Sequence, residues 1–129
     1  MILVDTSVWV EFFRKSSKLI IPKEIISSIA VCPPVIQEVL QGIKDDAVLI
    51  RVRRSLLSFK IAGEIINTDY YLEASSIYRS ARRRGITIRS SIDCLIAVIA
   101  LREKIQVWHQ DRDFVEIAKF TELKLFQLS

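Results

Sequence analysis

Short apolar runs alternate along the chain with longer segments whose apolar residues recur at helical spacing. The opening run Ile2-Leu3-Val4 predicts a strand, and the polar residues after it predict a helix capped by Thr6 or Ser7. The same criteria predict further strands at 30–32, 105–108 and 123–128. Helices are predicted at 8–14, 35–41, 45–59, 69–84, 92–103 and 114–119, and the segment 20–30 also has helical spacing.

The order of these elements predicts a fold of the α/β class. Strands that alternate with helices form largely parallel sheets covered by helices on both faces. Residues 92–103 are apolar on all sides, so this helix is expected to be buried in the middle of the molecule. We therefore predict one domain over residues 1–129, with a short, mostly parallel central sheet flanked by helices on both faces.

The composition is typical of a folded domain with a dense core or an apolar subunit interface. Of the 129 residues, 50% are hydrophobic and 26% are charged, and the mean hydropathy is +0.29, which excludes disordered and fibrous classes. The longest uncharged apolar stretch, Cys94 to Leu101, is far shorter than the roughly 20 residues of a membrane-spanning helix. With no signal-like segment before Asp5 and no CxxC motif, we expect a cytoplasmic protein in which Cys32 and Cys94 are reduced core thiols.

Basic residues form two clusters along the chain, one of which consists of Arg51, Arg53, Arg54 and Lys60. The formal net charge is +4 and the pI is near 9.3, which favours an anionic partner. Between residues 79 and 89 there are five arginines, which are Arg79, Arg82, Arg83, Arg84 and Arg89. Such a run can be a solvated helix face. If the chain acts on nucleic acid, these arginines, in particular Arg79, Arg82, Arg83 and Arg89, are candidates for phosphate contacts.

Four acidic residues from separate segments are predicted to meet at one edge of the sheet. Asp5 follows the first strand directly, and Asp111 follows the strand at 105–108 within three residues. Glu38 lies in the helix after the second strand, and Asp93 lies in the first turn of the buried helix. In open parallel sheets, ligands bind beyond the carboxyl ends of the strands, where helix N-termini also converge. We therefore predict an acidic site at this edge.

Clustered carboxylates repel one another unless a cation neutralises them or some of them take up protons. Mg2+ and Mn2+ prefer oxygen ligands, and a bound ion can lower the pKa of an attacking water. His109 is the only histidine, which excludes a mechanism with two histidines in one subunit; it is expected at a strand end or near the substrate. Singly, each acid could instead be a helix cap or an exposed charge. Position favours Asp111 as a metal ligand and Asp113 as the cap of the next helix.

The segments that carry these acids also resemble known motifs. They are residues 2–9 (ILVDTSVW), 34–42 (PVIQEVLQG), 91–97 (SIDCLIA) and 109–114 (HQDRDF). With them, the chain resembles, over essentially its whole length, the PIN-domain family and within it the VapC-type toxins of toxin–antitoxin pairs. The resemblance implies that one acid in each motif is a metal ligand, that a second acid is accessory and that nearby hydroxyls assist. The implied ligands are Asp5, Glu38, Asp93 and Asp111, with Asp113 as the accessory acid and Thr6 or Ser91 as the hydroxyls.

The same resemblance implies a Mg2+- or Mn2+-dependent endoribonuclease that cuts structured RNA such as tRNA or rRNA and inhibits translation. It further implies a homodimer that a cognate small antitoxin silences. A phosphoacceptor signalling domain would instead need an acidic pair after the first strand and a lysine after a late strand, whereas Asp5 is single and Lys104 precedes its strand. A metal-free RNA-binding or scaffolding relative of the same fold would keep the basic helices but have no use for the four acids.

Overall fold

A five-stranded sheet forms the centre of the structure, a computed structural model that describes residues 1–128. The strands are β1 (Ile2–Val4), β2 (Ile29–Val31), β3 (Lys60–Ile61), β4 (Gln106–Trp108) and β5 (Leu125–Phe126). The helices are α1 (Thr6–Phe13), α2 (Lys23–Ile26), α3 (Pro33–Gln41), α4 (Asp46–Leu57), α5 (Thr68–Arg83), α6 (Ser91–Glu103) and α7 (Arg112–Ala118). The strand order is β3-β2-β1-β4-β5, and each neighbouring pair is parallel. The predicted α/β fold with a mostly parallel sheet is thereby confirmed.

The central strand β1 aligns the carboxyl ends of its neighbours. Ile2 pairs with Gln106 of β4, and Val4 pairs with Trp108. One residue further on, the Asp5 N–H donates to the Trp108 carbonyl at 2.9 Å. Strands β1 and β4 therefore end together, and the residues that follow them leave the sheet side by side.

The order of the strands explains why helices cover both faces. The chain runs outward from β1 to β2 and β3, and then crosses to β4 on the other side of β1. Because crossovers between parallel strands are right-handed, the two directions of travel put their helices on opposite faces. Helices α1, α3 and α4 pack in one group and α5, α6 and α7 in another, and α3 and α6 are also in contact.

Helix α6 forms much of the core. Its residues from Asp93 to Ala100 are all buried, which confirms the prediction of a central buried helix. The helix ends at Lys104, which adopts the left-handed conformation with φ 56°. Among the helices of residues 1–128, none is long and apolar enough to cross a membrane.

Two elements differ from the sequence prediction. The predicted helix at 45–59 ends at Leu57. Shortly after it, Lys60 and Ile61 form the strand β3, which was not predicted. This strand is short and lies at the sheet edge, with Lys60 exposed and Ile61 half-buried, so it carries no hydrophobic alternation. Of the segment 20–30, only the four residues of α2 are helical, because β2 already begins at Ile29.

The cap of α1 also differs from the prediction. Asp5 is the N-cap residue, and its side chain accepts the N–H of Ser7. Thr6 is the first residue of the helix, so neither Thr6 nor Ser7 is the cap. The strand ends at Val4, and Asp5 is therefore the junction between β1 and α1.

Candidate metal centre

Acidic side chains converge at the carboxyl ends of β1 and β4. The chain connections leave these two neighbouring strands towards opposite sides of the sheet, which makes this position the topological switch point. Asp5 directly follows β1, and Asp111 lies three residues after β4. Asp93 enters from the first turn of α6. Ligands of open α/β sheets bind outside the carboxyl ends of the strands at such a switch point. The fold thus places these acids at the edge where open α/β sheets bind ligands.

Asp5 is held by one of its two carboxylate oxygens. Its Oδ2 accepts the Ser7 N–H at 3.1 Å and the Ser7 Oγ–H at 2.6 Å. Its Oδ1 is buried and has no hydrogen-bond partner within residues 1–128. Burial raises the pKa of Asp5 above its ordinary value, the Ser7 hydrogen bonds oppose this, and the nearby Asp111 charge adds to it. Asp5 therefore offers one free oxygen whose ionised form needs a positive neighbour.

Asp93 has a stronger conflict between burial and charge. The residue is 4% exposed, and its Oδ2 has no partner in the described part of the chain. Burial, followed by the nearby carboxyl groups of Asp113, Asp5 and Asp111, raises the pKa of Asp93 to about 10. At neutral pH, this carboxyl group holds a proton unless a cation takes the place of that proton.

At the start of α7, the structure gives the capping role to Asp111 and not to Asp113. Asp111 is the N-cap, since its Oδ1 accepts the Asp113 N–H at 2.9 Å. Asp113 is 1% exposed, and its oxygens accept the backbone N–H of Arg89 at 3.0 and 3.2 Å and that of Ser90 at 3.1 Å. The prediction that Asp113 caps α7 is wrong, because the helix begins at Arg112 instead of Phe114. Asp113 instead fixes the loop that leads into α6.

Within residues 1–128, no basic side chain forms an ion pair with Asp93, Asp111 or Asp113. One carboxylate oxygen from each of Asp93, Asp111 and Asp113 lies within 4.8 Å of the other two. The ion pairs that the structure describes join other residues, which are Glu11 with Arg14, Glu73 with Arg102 and Glu116 with Lys119. An all-oxygen cluster with uncompensated charge and free buried oxygens has the donor chemistry that a hard divalent cation requires.

Glu38 reaches the same edge from α3. The Thr6 Oγ1 donates to Glu38 Oε1 at 2.8 Å, and Thr6 is covalently next to Asp5. Glu38 and Asp5 are both outside the group of three acids, Asp93, Asp111 and Asp113, whose oxygens lie within 4.8 Å of one another. The structure therefore links Glu38 to Asp5 through Thr6 instead of placing it against Asp93.

Other predicted site residues lie in α5, in the segment that leads into α6 and at the start of that helix. Ser91 is exposed at the first position of α6, and the backbone of Arg89 is tied to Asp113. The side chains of four predicted RNA-binding residues are exposed, namely Arg79, Arg82, Arg83 and Arg89.

His109 and the two cysteines have structural surroundings. The His109 Nδ1 accepts the Asp111 N–H at 3.2 Å, and its ring packs 5.5 Å from that of Phe114. Cys32 and Cys94 are free and buried, as predicted. Burial, with nearby carboxylates, raises the pKa of each thiol to about 12. Both thiols are therefore neutral at pH 7.

Sequence reasoning considered Ser7 only as a helix cap. Its Oγ donates to Asp5 and accepts the Gln110 N–H at 2.9 Å. The Asp-x-Ser spacing is a signal for the first contact, because an aspartate often bonds the backbone two residues on. The contact with Gln110 spans 103 residues of sequence and has no local signal.

Comparison with known proteins agrees with the fold. The PIN domain family model matches residues 2–120. The ribonuclease VapC11 of Mycobacterium tuberculosis is 39% identical over 133 residues, covering 96% of each chain. Two solved structures share the fold at 19% sequence identity. VapBC2 from Rickettsia felis, bound to a promoter DNA fragment, has a TM-score of 0.75, and the match covers 100% of both chains. VapBC-5 from Mycobacterium tuberculosis, a member of the VapBC family of toxin–antitoxin systems, has a TM-score of 0.69, and the match covers 98% of this chain and 97% of that one. The chain belongs to the PIN-domain family and, within it, to the VapC ribonucleases.

Proposed function

We propose that this chain is a Mg2+- or Mn2+-dependent endoribonuclease and the toxin of a type II toxin–antitoxin pair. Its similarity to VapC11 along nearly the whole length supports ribonuclease activity. The observation that carries the metal dependence is the pair of buried oxygens, Asp5 Oδ1 and Asp93 Oδ2, that have no partner among the described residues. A buried polar atom without a partner is costly unless a ligand satisfies it.

The proposed ligand set consists only of carboxylates. The ion would be held by Asp5, Glu38, Asp93 and Asp111. Asp111 uses Oδ1 to cap α7, so its Oδ2 is the oxygen available to a cation. Thr6 orients Glu38 through its 2.8 Å hydrogen bond.

Two further residues have accessory roles in this proposal. Asp113 holds the amides of Arg89 and Ser90, and by doing so sets the position at which α6 begins. Ser91 contributes an exposed hydroxyl at that helix start.

The chemistry proposed is hydrolysis by water. The buried Cys32 and Cys94 thiols are neutral because their pKa values are near 12, so they are poor nucleophiles. When bound, the divalent ion would neutralise phosphate charge and lower the pKa of the attacking water. Asp93 would release its proton as the cation binds, since its raised pKa comes from burial and from like charges.

The predicted RNA-contacting arginines lie at the same end of the molecule as the acids. Near the start of α5, Glu73 and Tyr70 contact Arg102 near the end of α6, through an ion pair and a cation–π contact of 4.3 Å. Helices α5 and α6 are therefore antiparallel. The last turn of α5, with Arg82 and Arg83, consequently lies beside the first turn of α6, which carries Asp93.

We propose that this basic end binds the phosphates of a structured RNA such as tRNA or rRNA, whose cleavage would inhibit translation. Contacts from Arg79, Arg82, Arg83 and Arg89 would give affinity without sequence preference. An exposed cluster of arginines alone would be a solvated surface. Its position beside an acidic centre favours the phosphate-binding role.

The proposed partners are a cognate small antitoxin and a second copy of the chain, in the cytoplasm. The structural neighbour VapBC-5 is a member of a toxin–antitoxin family. An antitoxin arginine or lysine among the acids would replace the charge of the metal ion. For the second copy, an apolar groove between α5 and α6 is lined by Ala74, Tyr78 and Leu95, and by Tyr71, which is 56% exposed. Contiguous exposed apolar surface of this kind marks interaction sites.

The test is cleavage of total cellular RNA by the purified chain. We expect fragments with Mn2+ or Mg2+, loss of cleavage in EDTA, and recovery when excess Mn2+ is added. Asp93→Asn should be inactive, whereas Asp46→Asn, an exposed first-turn aspartate of α4, should retain activity. Cleavage that persists in EDTA, or in Asp93→Asn, would refute the proposed function.

A further inference from the structure

The side chain of Ser7 joins two of the segments that carry the acidic site. Ser7 is half-buried in the first turn of α1, and its Oγ lies 2.6 Å from Asp5 Oδ2. The same Oγ lies 2.9 Å from the backbone nitrogen of Gln110, the residue before Asp111. One hydroxyl thus connects the end of β1 with the loop between β4 and α7.

The direction of both hydrogen bonds is determined by the groups involved. A backbone N–H can only donate, so the Ser7 Oγ is the acceptor in its bond with Gln110. The hydroxyl has one proton, and that proton is therefore directed to Asp5. Asp5 Oδ2 receives a second donor, the Ser7 N–H at 3.1 Å, which leaves Oδ1 as the free oxygen.

We propose that Ser7 is a positioning residue of the metal site. It holds the Asp5 carboxylate in one rotation, so that Oδ1 is always the oxygen presented to the cation. It also holds the amide of Gln110, and with it the loop from which Asp111 enters the cluster. A carboxylate and a loop that are fixed before binding lose less freedom when the ion binds. This role rests on the proposed metal-dependent function.

The test measures Mn2+ binding to the metal-free chain by isothermal titration calorimetry in wild type, Ser7→Ala and Ser7→Thr. We expect Ser7→Ala to bind Mn2+ about tenfold or more weakly, the usual effect of removing a hydrogen bond to a charged group. Ser7→Thr keeps the hydroxyl and should stay within about threefold of wild type. Ser58→Ala is the matched control, because the Ser58 Oγ makes a single local bond of 2.6 Å to the Ser55 carbonyl on the exposed end of α4.

A second measurement separates positioning from folding. In metal-free protein, the amide hydrogen of Gln110 should exchange faster in Ser7→Ala than in wild type, while amides of the buried helix α6 keep their protection. In RNA cleavage, Ser7→Ala should need more Mn2+ for half-maximal activity and approach the wild-type rate at saturation.

The outcomes distinguish this role from the function on which it rests. If wild type binds Mn2+ and Ser7→Ala binds it equally well, Ser7 has no positioning role and the metal site stands. If Gln110 exchange is unchanged in Ser7→Ala, the loop does not depend on this hydroxyl, and the proposal also fails. If wild type binds no Mn2+, the proposed metal dependence is wrong, and the role of Ser7 with it.

Discussion

The carboxyl group of Asp93 shows how burial changes the chemistry of a single residue. Its pKa rises from 3.8 to about 10 through burial and three acidic neighbours. The unfolded chain loses this proton near pH 4, whereas the folded, metal-free chain keeps it until about pH 10. The stability that the raised pKa contributes is thus complete below pH 4 and is lost progressively as the pH rises towards 10.

Asp93→Asn should raise the melting temperature of the metal-free chain, because asparagine is neutral at every pH. The gain should be larger at pH 8 than at pH 5, since the cost of keeping the Asp93 proton increases over that interval. Thermal melting in EDTA at both pH values measures this, with Asp46→Asn as an exposed control. A drop in melting temperature at both pH values would show that Asp93 is needed to build the start of α6.

Asp111 and Asp113 should differ in what their loss costs the fold. Asp111→Ala removes an N-cap, which costs about 0.5–2 kcal/mol. Asp113→Ala removes the buried carboxylate that accepts both the Arg89 and the Ser90 amide of a partly buried loop, at up to about 1–3 kcal/mol for each group left unsatisfied. Urea unfolding of both variants in EDTA should therefore show the greater loss for Asp113→Ala. A greater loss for Asp111→Ala would reverse the roles that the structure assigns.

The identity of the acidic residues could be predicted from sequence, but their partners could not. Asp5 and Asp93 each stand where a strand ends or a buried helix begins, and local pattern locates such positions. Asp113 accepts amides that lie 24 and 23 residues away, and no local pattern reports the shape of that loop. For the same reason, the contact between Ser7 and Gln110 was visible only in the folded chain.

Among the secondary-structure elements, long helices with a clear apolar face were predicted within a few residues, and one of the two shortest strands, β3, was missed. Helix α6 is recognisable because it is apolar on all sides. Strand β3 has two residues at the sheet edge, and its pairing with β2 is long-range backbone hydrogen bonding that side-chain pattern does not reveal.

The turn after β3 offers a test of how this edge is joined to α6. Gly63 has φ +66°, its N–H donates to the Glu103 carboxylate, and an added Cβ would lie 3.0 Å from Ile99 Cγ2. Gly85 has φ +76° with nothing within 4 Å of an added Cβ. Gly85→Ala should therefore cost only the left-handed strain of about 1–2 kcal/mol.

Gly63→Ala should cost more, because overpacking against α6 adds about 1–3 kcal/mol to the same strain. Chemical unfolding of the two variants gives the comparison. Equal losses would mean that Ile99 moves aside freely and that the turn is not closely packed on α6.

For the whole molecule, the distribution of charge should set how RNA binding depends on salt. Arg82 lies at the end of α5, beside the acidic site. Arg54 is also an exposed arginine in the last turn of a helix. Helix α4, however, ends just before β3 begins, so Arg54 lies near the amino ends of the strands and the acidic site lies at their carboxyl ends. In an Asp93→Asn background that prevents cleavage, Arg82→Ala should weaken RNA binding and reduce the salt slope by about 0.7–0.9.

Arg54→Ala is the matched control and should leave the salt slope unchanged. The slopes follow from RNA binding measured at several salt concentrations. If both variants change the slope equally, RNA does not bind preferentially at the acidic end of the molecule, and the proposed binding surface is wrong.

The most direct test of the metal centre is a crystal of the chain soaked in Mn2+ and measured for anomalous scattering. The acidic cluster predicts an anomalous peak within coordinating distance of Asp5 Oδ1 and Asp93 Oδ2, the two buried oxygens without a partner in residues 1–128. The same soak of Asp93→Asn should show the peak lost or strongly reduced. A well-ordered site with no peak between these oxygens, or a peak at other residues only, would contradict the metal-dependent mechanism.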